Sequence, residues 1–172
     1  DGGIVVANRD KYSFDVDKNV ISLTVLRGAI YADHTYGKDE FRDEFCEYTD
    51  QGIHEFSYSI SPFESVTRAE REGQVINSPC RYIMETFHKG DLKTEYSGIE
   101  LSEENIAVTA LKKYEDGDSW ILRCYETEDK DTTVDISLFE TKWTTRFLHS
   151  QVKTFIVGNG KVTETDFIEW KH

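Results

Sequence analysis

The segment Ile106-Ala107-Val108-Thr109-Ala110-Leu111-Lys112-Lys113-Tyr114-Glu115-Asp116-Gly117-Asp118-Ser119-Trp120-Ile121-Leu122-Arg123-Cys124 holds two apolar alternations on either side of an acidic, glycine-centred turn. Ile106, Val108 and Ala110 recur at every second residue, and so do Trp120, Leu122 and Cys124. Successive side chains of a strand point to opposite faces, so a period of two marks a strand buried on one side. The rhythm continues outward through Val134, Ile136 and Leu138, then Trp143, Thr145 and Phe147. Phe155 to Val157 leads into Gly158-Asn159-Gly160, and Val162 to Ile168 reads as the returning strand. Asn-Gly between two apolar runs predicts a hairpin. From Glu100 onward turn signals recur roughly every 8–12 residues, the spacing of an all-β sandwich.

Upstream the segments are longer and less even. Ile4-Val5-Val6 opens a strand, and Tyr12, Phe14 and Val16 alternate with Ser13 and Asp15. Val20 to Leu26 follows the turn Asp17-Lys18-Asn19, and Phe56, Tyr58 and Ile60 alternate with serines and Glu55. Tyr82-Ile83-Met84-Glu85-Thr86-Phe87 predicts a further strand, closed by Lys89-Gly90-Asp91. One helix is expected from Glu64 to Ile76, ending before Asn77-Ser78-Pro79. The acidic stretch from Tyr36 to Gly52 reads as an irregular loop with at most one helical turn. The change of style between Gly90 and Ser102 places a boundary there, dividing residues 1–95 from residues 96–172. The fold class expected is therefore all-β, a β-sandwich with one short helix.

A chain of 172 residues can bury a sizeable core. Its formal charge of −13 repels phosphate backbones and anionic lipid heads, which argues against nucleic acid and membrane surfaces as partners. Aromatic residues make up 13%, too many for a disordered chain. No apolar run approaches the ~18 residues of a spanning helix. The sequence starts at Asp1 without an initiator Met or a signal-like stretch and reads as part of a longer polypeptide. Cys46, Cys80 and Cys124 form no CxxC pair and read as reduced thiols. With no Asn-x-Ser/Thr acceptor, they point to a reducing, cytoplasmic setting.

Motifs for chemistry are sparse. No Gly-x-Ser-x-Gly elbow and no phosphate-cradling glycine loop occurs. Asp33-His34 with His54 could supply metal ligands, yet none has His-x-x-x-His spacing, and a hydrogen-bonded structural His54 is the simpler reading. Asp129 to Glu140 has carboxylates at calcium-loop spacing, but Val134 stands where such a loop needs Gly, so no calcium site is expected. Acidic pairs for glycoside hydrolysis can be drawn among the 33 acidic residues, but Asp39, Glu40, Asp43, Glu44 and Glu47 read as a solvated loop face. Trp120 and Trp143 share faces with core residues and read as core; Trp170 is the tryptophan best placed for exposure. The strongest local candidate is Arg27-Gly28-Ala29-Ile30-Tyr31-Ala32-Asp33-His34, where Arg27 ends an apolar strand and Gly28 permits a sharp turn. Arg27 and Asp33 could pair within this loop, or project toward a neighbouring domain.

Five motifs in order carry a family resemblance. Asp50-Gln51-Gly52-Ile53-His54-Glu55-Phe56-Ser57-Tyr58-Ser59-Ile60-Ser61-Pro62 resembles the Asp-x-Gly-x-His-x-Phe-x-Tyr-x-Leu-x-Pro strand of α-mannosidases of glycoside hydrolase family 38, of the bacterial type. Asn8-Arg9-Asp10-Lys11-Tyr12-Ser13-Phe14-Asp15 resembles that family's Asn-x-x-Lys-Tyr-x-Phe-Asp segment, and Leu23-Thr24-Val25-Leu26-Arg27 its Leu-x-Leu-Leu-Arg strand. Ala110 to Gly117 and Leu122 to Glu126 resemble its late β-sandwich. Ala29, where the family carries Pro, and the acidic insert from Lys38 to Tyr48 are departures.

The resemblance implies that residues 1–95 are the C-terminal part of a mutarotase-like β-supersandwich and that residues 96–172 are the small terminal sandwich. The family's catalytic residues and its zinc ligands belong to an N-terminal domain, so no catalytic residue and no metal site is carried over. Zinc is expected in that domain of the parent and no cofactor in these residues. The expected function is a non-catalytic β region of an enzyme that cleaves terminal α-linked mannose with retention, and these residues alone are expected to be inactive. Arg27, Asp33, His34, Asp50 and His54 are the candidates for facing the substrate cleft or the neighbouring domain. The expected partners are the N-terminal catalytic domain of the same polypeptide and, through it, a mannose-containing oligosaccharide, with homo-oligomerisation left open. A self-standing carbohydrate-binding sandwich is the alternative; a sandwich that binds protein is the third class.

Overall fold

The computed structural model describes residues 2–29 and 48–169. Eleven strands and one helix follow one another in these residues: β1 (Ile4–Arg9), β2 (Phe14–Asp17), β3 (Val20–Leu23), β4 (Ser57–Pro62), α1 (Val66–Asn77), β5 (Ile99–Leu101), β6 (Ile106–Lys113), β7 (Trp120–Glu126), β8 (Thr132–Leu138), β9 (Thr141–Phe147), β10 (Val152–Gly158) and β11 (Lys161–Thr165). The all-β class with one short helix is the class the alternation predicts. β5 went unseen in the sequence because three residues hold too little of a period to read. The loop from Tyr36 to Gly52 lies largely outside the described residues, as do Cys46 and Trp170.

The C-terminal strands make two sheets, β11-β10-β7-β6 and β5-β8-β9, with antiparallel pairing throughout. Their inner faces enclose one core of Ile106, Leu122, Cys124, Val134, Ile136, Leu138, Phe147, Phe155 and Val157. Trp120 and Trp143 pack against it, as expected, with the Trp143 ring edge-on to Phe155 at 5.5 Å. Burial pushes the Cys124 thiol up to about 12, so this sulfur is a core atom and not a nucleophile. The hairpin at Asn159-Gly160 has both residues at positive φ, 51° and 69°, the type I′ geometry that matches strand twist.

One alternation breaks. A bulge between Val108 and Ala110 leaves Thr109 unpaired in the ladder. Val108 faces Cys124, but beyond the bulge Ala110 faces Arg123 and Leu111 faces Leu122. Ala110 thus leaves the core face to which simple alternation assigned it.

The N-terminal strands are differently placed. Among the described residues, β1 pairs only with β4, and β2 only with β3. Among described residues before 96, Ala7 and Thr67 alone are buried. Tyr82–Phe87, expected as a strand, is not one: it pairs with no strand among the described residues, and Tyr82, Ile83, Met84 and Phe87 are largely exposed to solvent. A strand gains stability from neighbours on both its edge and its face, and neither is supplied here.

Helix α1 joins the halves. Ser65 caps it, its Oγ accepting from the Arg68 N–H at 3.1 Å. Thr67 donates its N–H to Glu128 Oε1 at 2.7 Å, and its hydroxyl meets that of Thr127 at 2.8 Å. Burial, with the Glu70 carboxylate bonded to its hydroxyl, pushes Tyr125 up to about 12. On the other side Asn77 Nδ2 donates to the Asn8 carbonyl at 3.1 Å. The helix is therefore tied to both β1 and the terminal sandwich.

Candidate functional site

Arg27 lies just past β3, and the chain returns beside it at Tyr48–Asp50. Thr49 N–H to the Ala29 carbonyl at 2.7 Å and Ala29 N–H to Thr49 Oγ1 at 3.2 Å zip this neck, and within one arm the Ala29 N–H also reaches the Arg27 carbonyl at 3.1 Å. The Thr49 hydroxyl reaches the Ala29 carbonyl at 3.0 Å. Gly28 sits close to Gln51, whose Nε2 would lie 3.9 Å from a Cβ added at Gly28.

The segment from Asp50 to His54 turns sharply, with Asp50 at φ 58° and Gly52 at φ 123°, a value that excludes most side chains. His54 closes the turn, its Nε2 lying 2.8 Å from the Asp50 carbonyl oxygen. A carbonyl only accepts, so Nε2 carries a proton and Nδ1 is the basic nitrogen of the neutral ring. This is the hydrogen-bonded, structural arrangement favoured for His54 from sequence. Arg27, Asp50 and His54 are thus brought to one exposed loop neck. Asp33 and His34 lie outside the described residues.

No group of three or more His, Cys, Asp and Glu side chains among the described residues is placed to hold a metal ion. The described residues do not fit the zinc set implied by the family, and no step through a metal is assigned to them. Among the described residues, no helix is long and apolar enough to cross a membrane.

A second cluster was not anticipated from sequence. Glu126 is only 2% exposed at the end of β7. Its Oε1 accepts from Asn105 Nδ2 at 2.8 Å and from the Glu128 N–H at 2.7 Å; its Oε2 accepts from the Ser150 and Lys130 N–H groups at 2.9 and 3.1 Å. Burial pushes the carboxyl up, but these four bonds outweigh it and bring it down to about 2. The signal was legible: Glu126 continues the alternation of Trp120, Leu122 and Cys124, which aims a carboxylate at the core. Nearby, Asp131 is held below the usual carboxylate range by the Arg146 guanidinium at 2.7 Å and the His149 N–H at 3.0 Å. The arrangement clamps the loops 127–131 and 148–151 and uses up its lone pairs in doing so, so it is built to hold structure, not to transfer protons.

Residues 105–169 match the family profile of the C-terminal beta sandwich domain of glycosyl hydrolases family 38. The chain is 30% identical over 165 residues to alpha-mannosidase G of Dictyostelium discoideum, an alignment covering 93% of this chain and 13% of that protein. The chain thus spans about 13% of the length of this curated relative. No solved structure matches it. The matched profile coincides with β6–β11, the strands that close the core. Profile and relative agree: residues 105–169 carry the C-terminal beta sandwich domain of glycosyl hydrolases family 38, and the chain is the C-terminal β region of an alpha-mannosidase-like protein.

Proposed function

We propose that this chain is the non-catalytic C-terminal part of an α-mannosidase whose retaining, zinc-dependent chemistry on terminal α-linked mannose resides in an N-terminal domain of the same polypeptide. Residues 1–95 act as the last strands of a larger β-sandwich, and residues 96–172 as the terminal sandwich. The observation that carries this reading is the contrast between the two halves. Residues 99–165 enclose a complete core, whereas β1–β4 and β2–β3 leave Ile4, Ile21, Phe56, Tyr58 and Ile60 exposed around a groove of about 460 Å³. Contiguous exposed apolar surface of this kind marks a docking face. A relative much longer than this chain supports an occupant from the same polypeptide. The neck holding Arg27, Asp50 and His54 leads off the same strands and faces the cleft in this arrangement.

The test is hydrolysis of p-nitrophenyl α-mannoside. The full-length protein should cleave it and the 172-residue chain should not. Phe56→Asp in the full-length protein should lower soluble yield or activity by breaking the docked face, and Arg27→Ala should lower kcat/KM with the fold intact. Cleavage by the 172-residue chain unaided, or no cleavage by the full-length protein, overturns the reading. Unchanged kcat and KM in the Arg27 variant removes the cleft-facing role of the neck.

A further inference from the structure

We propose that the turn end of the terminal sandwich carries a binding site for a neutral pyranose sugar. Residues 96–98 and the β6–β7, β8–β9 and β10–β11 connections meet there around a groove of about 450 Å³. Tyr96, Trp120 and Phe139 provide its aromatic wall, and Asp118, Glu140 and Asn159 its hydrogen-bonding rim. A pyranose ring has an apolar C–H face and a rim of hydroxyls. It is recognised by aromatic surface on one side and by acceptors and donors in plane with the ring on the other.

Phe139 supplies an independent observation. It occupies a two-residue turn between β8 and β9 at φ 51°, a conformation that a bulky side chain seldom adopts and that glycine would satisfy without strain. The hairpin register needs no aromatic there. The strained turn instead holds the ring against Trp120, with centroids 5.2 Å apart, while leaving Phe139 41% exposed. Gly98 makes room for it: a Cβ at that position would fall 3.2 Å from the Phe139 ring. Tyr96, 74% exposed, stands on the same side. Strain kept at an exposed aromatic is a feature of sites rather than of cores.

Charge restricts the ligand. Lys113 lies over the Trp120 ring at 4.6 Å and pairs with Asp118 at 3.1 Å, so the groove's cation is already matched. Glu140 adds a further negative charge, on a chain of net charge −13. Uronates and sulfated or phosphorylated sugars are disfavoured, and uncharged ones are not. Because Lys113 covers one face of Trp120, Tyr96 and Phe139 are the stacking surfaces. The site stands apart from the mannosidase reading, since it is made of described residues and is tested without any hydrolysis.

The experiment is a titration of the ¹⁵N-labelled 172-residue chain, separately with mannobiose, cellobiose and xylobiose, followed by NMR. At least one disaccharide should give saturable shifts at the Trp120 indole N–H and the Tyr96, Phe139 and Asn159 amides. Digalacturonate should give none. Tyr96→Ala should weaken binding about tenfold or more at an unchanged melting temperature. Phe139→Gly should keep or raise the melting temperature and lose binding, because it removes strain and stacking surface together. The proposal is overturned if none of the three disaccharides gives saturable shifts, if the shifts map elsewhere, or if both variants bind as the parent chain does.

Discussion

Glu126 shows how one side chain can hold two loops at a defined pH cost. Its folded carboxyl titrates near 2, below the ordinary value of about 4.3, so it contributes stability above the unfolded value and loses it as pH falls toward the folded one. The contribution is on the order of 3 kcal/mol. Glu126→Ala is therefore expected to destabilise the chain by about that much near neutrality. Chemical denaturation at neutral pH and at about pH 3 should show the gap between parent and variant narrowing in acid. A gap of the same size at both would mean the residue acts by packing alone. His54 illustrates the converse, a suggestive residue whose ring is bonded to a carbonyl four residues away and fixes a turn.

Among the elements, the hairpins depend on backbone geometry that few residues provide. Gly158 ends β10 beside Ser119, and a Cβ there would lie 2.9 Å from the Ser119 Cβ and 3.1 Å from its Cα. The turn backbone cannot yield as a flexible side chain would. Gly158→Ala is expected to cost about 1–3 kcal/mol, the usual penalty of overpacking, read as a lower denaturation midpoint with an unchanged m-value; a midpoint within error of the parent would show that the β6–β7 turn moves freely. How far each element was legible follows from the same physics. The β10–β11 hairpin is written in residues adjacent in the chain, and it stands where the sequence places it. The helix runs two residues later at its start and one at its end than the apolar pattern suggests, since Ser65 rather than Glu64 satisfies the first-turn donors. The Thr109 bulge was hidden, because it is a property of two strands in register and not of either alone.

The whole molecule combines a self-sufficient sandwich with a half whose described residues close no core, joined through α1 by Thr67, Thr127 and Glu128. Local stability should follow that division. In the 172-residue chain, amides of β7, β8 and β10 should exchange at least roughly a hundredfold more slowly than those of β1–β4. Residues 96–172 expressed separately should keep a cooperative unfolding transition. Equal protection across both halves would show that the N-terminal strands have a core of their own.

Alternation and turn residues were written locally, and they sufficed to determine an all-β fold, the seat of the terminal core and the family motifs in order. Tertiary structure alone decided what became of Tyr82–Phe87, which face Ala110 took, how the Glu126 carboxylate found its hydrogen-bond donors and where Phe139 was held. Each of these depends on a neighbour distant in sequence: a strand needs an edge to pair with, a buried carboxylate needs donors gathered from several loops, and a strained turn needs surfaces to rest against. Local pattern specifies which side chains seek burial; only the assembled chain specifies whether a partner is there to meet them.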